Sequence, residues 1–452
     1  MRARIVLPLV MLLNACVPAS QPELATRADH VDLDLPPMKR FAARPASVPT
    51  RSNNDIALDF IELSFLMESG RALPVFTRFE TPVTVRVTGA PPATLNSDLT
   101  QLIRRLRTEA GIQITQTQSA SANITIEAVS RAEIRRVLPQ AACFVAPNVA
   151  SLSEYRRARR KPQTDWTKLT RREKLAIFLP NDASPQEVRD CLHEEVAQAL
   201  GPLNDLYRLP DSVFNDDNVH TVLTGFDMLI LRTYYDPALR SGMSRGQVAA
   251  ALPGILARIN PAGVRQPARF ATRTPPGWST AVQTALGRSI SLTSRKSAAI
   301  EAVRIATAMG WQDHRRAFAH YAMGRVLQGH DPQEALNQYL TADLYYRQTP
   351  GTVLHRAYVA TQLSAYAVSQ GKGAEALRLI GPYLSVAQDS ENAALLSTLL
   401  LLRSEALELE GRHAEARSVR LDSMGWARYG FGSDWAVRAK LREIASLNPH
   451  KG

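Results

Sequence analysis

The apolar positions of this chain change period twice, and the changes divide it. An apolar run through Ile56, Phe60, Ile61, Leu63, Phe65 and Leu66 opens the structured part. Residues 82–89 (PVTVRVTG) then alternate one by one and stop at a glycine, as a strand does. Leu99, Leu102, Ile103, Leu106 and Ala110 return at intervals of three and four, marking a helix that Asn96 can cap and Gly111 closes. Residues 112–115 and 124–129 read as further strands, 143–146 as a short apolar segment, and 175–179 as a buried strand. Residues 223–232 form a helix with one apolar face. After a Pro- and Gly-rich linker, 261–278, the chain turns alanine-rich and helical. There Gly329…Glu334-Ala335, Gly371…Glu375-Ala376 and Gly411…Glu415-Ala416 recur, with alanines 41 and 40 residues apart.

The best-defined helix follows the strand at 175–179 and reads SPQEVRDCLHEEVAQALGPLND, residues 184–205. Ser184, Pro185 and Glu187 make a capping box with proline at the first helical position, and Gly201-Pro202 end the helix. At about 100° per residue, Val188, Cys191, Leu192, Val196, Ala199 and Leu200 share an apolar side, and Arg189, Asp190 and His193 are expected to face solvent. Glu195 breaks this scheme. It falls in the middle of the apolar arc, with Glu194 and Gln198 at its edge. A carboxylate aimed at a core must be paired, protonated or bound to a cation.

In that frame Glu194-Glu195-x-x-Gln198-x-x-Gly201-x-x-Asn204-Asp205 resembles the metzincin zinc-peptidase signature H-E-x-x-H-x-x-G-x-x-H. The catalytic-glutamate position (Glu195) and the glycine match, whereas all three metal-ligand positions differ. An HE register one residue earlier would place the second ligand at Ala197 and is rejected. Phe214 stands where the methionine of the metzincin turn would fall. The resemblance implies that the 122–126 strand borders a substrate cleft. The string E-E-x-x-Q-x-L-G-x-x-N-D also resembles a bacterial lipoprotein family known only as a domain of unknown function, over roughly residues 56–260. Gly324, Ala335, Tyr339 and Ala342 fit a tetratricopeptide-like hairpin with helices longer than usual, against the plainer reading of a generic helical bundle. Tyr345, Tyr346, Tyr358 and Tyr366 would line a groove there or belong to its core.

Arg2 and Arg4 precede an apolar run, residues 5–13, that ends Leu13-Asn14-Ala15-Cys16. This is a secretory signal whose end resembles a lipobox, with Cys16 lipidated and, since Val17 follows, the protein on the periplasmic face of the outer membrane. Residues 17–53 read as a flexible tether. In an oxidising envelope the two remaining cysteines, Cys143 and Cys191, are expected to form one disulfide; two buried, unlinked thiols are the alternative. The net charge of +12 and the basic stretch 155–174 suit an anionic lipid or glycan, or a plain solvated surface. Aromatic residues are too sparse in that stretch for a nucleic-acid platform.

The expectation is therefore an α+β metzincin-like domain (54–260) followed, after the linker, by an all-α tetratricopeptide-like repeat domain (279–450). The signal (1–16) and tether precede them. The function expected is a non-catalytic, peptidase-like binding or scaffold protein in the envelope. It would hold an envelope protein or peptide through its repeats and the membrane through its lipid, with no nucleic acid. Glu194, Gln198, Asn204 and Asp205 form a polar or metal cluster, with Glu195 catalytic only if the domain is active. No cofactor is expected. The alternative is a metal-dependent peptidase, whose oxygen-only ligands suit calcium better than zinc.

Overall fold

The computed structural model describes residues 35–42, 47–269, 271–287 and 289–451. Cys16, its signal and most of the stretch read as a tether lie outside the described residues. The first part is an α/β domain. Helix α1 (Asn53–Phe65) is capped by Ser52, whose hydroxyl accepts from the Asp55 N–H. Strand β1 (Val83–Gly89), α2 (Leu95–Glu109), β2 (Ile114–Gln116), β3 (Ile124–Val129), α3 (Arg131–Val137), β4 (Phe144–Pro147), α4 (Leu152–Ala158) and β5 (Leu175–Pro180) follow. The domain is completed by the motif helix α5 (Pro185–Leu200), α6 (Gly225–Tyr234) and α7 (Arg245–Ile259).

The strands form one mixed sheet in the order β2-β1-β3-β5-β4. Neighbours are parallel except β4, which pairs antiparallel with β5, Phe144 opposite Phe178. Every residue of β5 is buried, which is why its sequence is an unbroken apolar run rather than an alternation. Gly89 ends β1 at φ 77°, and a side chain there would strike the Ala128 carbonyl of β3. The expected position of β3 beside a cleft needs correcting: β3 lies between β1 and β5, and the antiparallel edge strand is β4. A disulfide joins Cys143, just before β4, to Cys191 of α5.

The second part is all helical: α8 (Pro276–Leu286), α9 (Leu292–Ala308), α10 (His314–Leu327), α11 (Pro332–Gln348), α12 (Val353–Ser369), α13 (Gly373–Ile380), α14 (Leu384–Asp389), α15 (Ala393–Leu409), α16 (His413–Phe431) and α17 (Asp434–Ala445). The linker is shorter than its composition suggested, because α8 begins at Pro276. Consecutive helices pack in pairs through small residues. A side chain at Gly324 of α10 would come within 2.6 Å of the Tyr339 ring of α11, and Ala335 and Ala342 are buried beside it. Tyr346 is core, whereas Tyr345, Tyr358 and Tyr366 are half-buried. No helix among the described residues is long and apolar enough to cross a membrane.

From residue 36 the two parts form a single unit, and their seam overturns one expectation. Arg189 and His193 do not face solvent; they are 5 % and 2 % exposed, because α16 and the loop before α15 cover that side of α5. Arg189 pairs with Glu391, and the Gln186 amide donates to Asn392 at 3.1 Å. Asn392 donates in turn to the Tyr358 hydroxyl, and Tyr429 of α16 donates to Asp98 of α2 at 2.9 Å. Part of the supposed tether is also docked. The Lys39 N–H donates to the Gly425 carbonyl, and Phe41 stacks on Trp426 at 4.5 Å.

Candidate functional site

Helix α5 is held at both ends. At its start the Ser184 hydroxyl accepts from the Glu187 N–H at 3.2 Å, but the Glu187 carboxylate pairs with Arg131 rather than closing the box. At its end the guanidinium of Arg172, 2 % exposed, donates to the carbonyls of Gln198 (2.5 Å), Ala199 (2.9 Å) and Gly201. These carbonyls are the negative end of the helix, so a cation there is doubly favoured. Arg172 therefore leaves the exposed basic stretch in which its sequence neighbours stand. Gly201 is extended, at φ −160°, so it does not make a left-handed turn. It is small because a side chain there would press on the Tyr234 ring, 3.0 Å away.

On this fixed helix Glu195 is buried, 4 % exposed, and its Oε2 has no partner. Half-buried Glu194 adjoins it. The loop after α5 brings Asp205, whose Oδ1 is also buried and unpartnered. At the exposed rim stand Glu68, from the segment after α1, and Asp216. Burial, then the charges of Glu68 and Asp216, pushes Glu194 up to about 7. Burial, then Glu194 and Glu68, holds Glu195 well above the usual carboxylate range. Asp205 is raised as strongly by burial and then by Glu68 and Glu194. These carboxyls are thus near enough to feel one another's charge, and their exposure falls from the rim at Glu68 and Asp216 to buried Glu195.

The two amides of the expected polar cluster are not engaged with Glu195. Gln198 bonds Glu68 at the rim, not Glu195. Asn204 leaves the cluster: its Nδ2 donates to the Glu62 carbonyl of α1 at 3.1 Å. The two histidines of the domain are also committed. His193 Nδ1 accepts from the Leu223 N–H at 3.2 Å, and burial, with Arg189 and Arg105 nearby, keeps the ring neutral. His220 Nε2 donates to the Pro210 carbonyl at 2.9 Å. Phe214 is buried in the domain core.

Sequence reasoning missed four residues of the cleft: Glu68, Asp216, Tyr207 and Gln283. Gln283 of α8 donates to Asp216 at 2.9 Å, and Tyr207 also bonds Asp216, so the helical region closes one side of the site. No local pattern marks any of them, since Glu68 and Gln283 lie 215 residues apart and both fall outside the 184–205 motif. A cavity of about 390 Å³ lies between α1, the loop after α5 and the linker, but it shares no residue with the cleft. Its acids are already matched: Arg51 pairs with Asp59 and Asp211, and Arg208 with Asp59 and Glu62.

Fold and site define a class: an α/β domain with a mixed five-stranded sheet and a buried acidic cleft, joined to an all-helical region. Residues 53–254 match the family described as Protein of unknown function (DUF2927). The match runs from α1 into α7 and leaves the helical region outside it. No curated protein and no solved structure matches the chain.

Proposed function

We propose that this is a lipid-anchored envelope protein, on the periplasmic face of the outer membrane, whose metzincin-like domain binds rather than cleaves. The observation that carries the reading is the fate of the three metal-ligand positions. Glu194 sits among other acids, Gln198 is bonded to Glu68, and Asn204 is spent on the Glu62 carbonyl. Zinc favours nitrogen or sulfur ligands converging on one point, and these residues do not fit it. The metzincin-like scaffold is supported by the strand order, the antiparallel edge strand β4, and a long helix directly after β5. The disulfide supports an oxidising compartment. The tetratricopeptide-like reading is supported by paired helices with small residues at their contacts. In this reading the repeats hold the domain rigidly and present an outer surface to an envelope protein or peptide.

The test is the metal content and peptidase activity of the full chain, beside Glu195→Gln. Substoichiometric zinc and no cleavage by either form are expected. One zinc per chain, with cleavage lost in Glu195→Gln, would replace this reading by the peptidase.

A further inference from the structure

Seven carboxylates among the described residues are buried: Asp59, Asp98, Glu195, Asp227, Asp236, Glu391 and Glu405. Asp59, Asp236, Glu391 and Glu405 each have an arginine. Asp98 has the Tyr429 hydroxyl, and Asp227 has Ser212 and two backbone N–H groups. Of these seven, Glu195 alone has neither a cation nor a donor among the described residues, and it lies within reach of the charges of Glu194 and Glu68, with Asp205 in the same group of acids. Among the described residues the other six fully buried acids each have a cation or a hydrogen-bond donor. Here the partner is missing, and the cleft opens outward from buried Glu195 through half-buried Glu194 and Asp205 to exposed Glu68 and Asp216.

We propose that the cleft receives an organic cation, the guanidinium or ammonium of an arginine or lysine side chain on a peptide, with Glu195 and Asp205 as its counter-ions. This rests on the reading of the domain as a binding module and names what it binds. The layout favours a spread cation over a point ion. Among the described residues no three His, Cys, Asp or Glu groups converge as metal ligands do. A guanidinium, by contrast, carries five N–H donors in a planar fork that can bridge two separated carboxylates. The donors that the protein does supply, Gln198, Gln283 and Tyr207, are engaged at the rim by Glu68 and Asp216. One oxygen each of Glu195 and Asp205 is buried without a hydrogen-bond partner among the described residues, so a cation's donors would satisfy both.

Binding a cation draws protons off these acids, so affinity rises with pH. The groups facing the ligand are Glu68 after α1, Glu194 and Glu195 on α5, and Asp205, Tyr207 and Asp216 on the following loop; α8 adds only neutral Gln283. Glu194, held near about 7, sets the window.

The full chain, extracted in detergent, is titrated calorimetrically with acetyl-Gly-Arg-Gly-amide and acetyl-Gly-Gln-Gly-amide at about pH 6 and about pH 8, either side of that window. The arginine peptide is expected to bind at least ~10-fold more tightly, one charge-assisted contact being worth about that factor, and to tighten several-fold at the higher pH. Glu195→Gln with Asp205→Asn should weaken it ~10-fold or more with an unchanged or raised melting temperature. Glu194→Gln, at a half-buried position, should shrink the gain between the two pH values even if the double variant folds poorly, the remainder coming from Glu195 and Asp205. Equal binding of both peptides, no binding of either, or displacement by submillimolar calcium would overturn the proposal. Mass analysis of the peptides separates the two readings. Hydrolysis of the arginine peptide would sink the non-catalytic reading and leave this site standing. Neither binding nor hydrolysis would sink this site and leave that reading intact.

Discussion

Two regions beside α5 bury acids at similar depth and treat them in opposite ways. At the seam with the helical region, Glu391 has Arg189, Asp98 has the Tyr429 hydroxyl, and Asp217 has His355 at 2.8 Å. Asp190, next to Arg189, is the exception at the seam: Gln186 lies within bonding reach of its carboxyl, but its Oδ1 is buried without a partner. At the cleft, one turn further along the same helix, Glu194, Glu195 and Asp205 have only each other and the rim acids. A buried ion pair adds little net stability but is costly to break on one side, since an unpaired charge is left behind. An unpaired cluster inverts this: its members are held by protons, and removing a charge relieves it. The seam is thus built to join the two parts, and the cleft is kept open for something else.

The largest expected effect comes from breaking the seam. Arg189→Met leaves Glu391, 4 % exposed, without its guanidinium and should cost about 3–5 kcal/mol in urea unfolding. Arg189→Met with Glu391→Leu should recover most of that, because no buried charge remains. A single-variant cost under about 1 kcal/mol would mean that the seam is hydrated in solution and the contrast with the cleft is false.

Next is the covalent brace. The Cys143–Cys191 bridge spans 48 residues and ties the sheet edge to α5 one turn before Glu194. Replacing both by Ala should cost about 2–4 kcal/mol. Amide exchange should quicken at β4 and the middle of α5 and stay slow at Asn392 and Leu395 in the seam. Uniform quickening would show that the cleft and the seam unfold as one.

The smallest effect is the sharpest. The folded chain holds the Glu194 proton up to about 7, against 4.5 ordinarily. Its stabilisation is therefore complete below about 4.5 and is lost as pH rises towards 7. His314 works in reverse. Burial lowers it from 6.5 to about 4, so the unfolded chain takes up its proton first and stability falls as pH drops through that window. The two oppose each other at acid pH, and near neutrality the cleft acts without that opposition. Stability should dip by up to about 1 kcal/mol between pH 6.5 and 7.5, a discounted figure for a half-buried acid. Glu194→Gln should flatten the dip, as seen in urea midpoints across pH.

Much of this was legible along the chain because it is local. Period placed α2, β1, β3 and β5, and period with capping placed α5, since a strand or helix declares itself within a few residues; Asn96, expected to cap α2, lies inside it, the helix starting at Leu95. The misfit of Glu195 on the α5 wheel correctly signalled a buried acid, and residue counting paired Cys143 with Cys191. What the chain could not declare was which surface meets which. The wheel gave Arg189 and His193 to solvent, because a polar face looks alike whether water or a matching polar face covers it. Arg172 looked like one more cation in a basic run, yet it caps α5 from across the fold. Asn204 looked like a ligand and is a strut to α1. Glu68, Asp216 and Gln283 complete the cleft from three distant segments, and only the tertiary structure, by bringing them within reach of each other's charges and hydrogen bonds, decided that they belong to it.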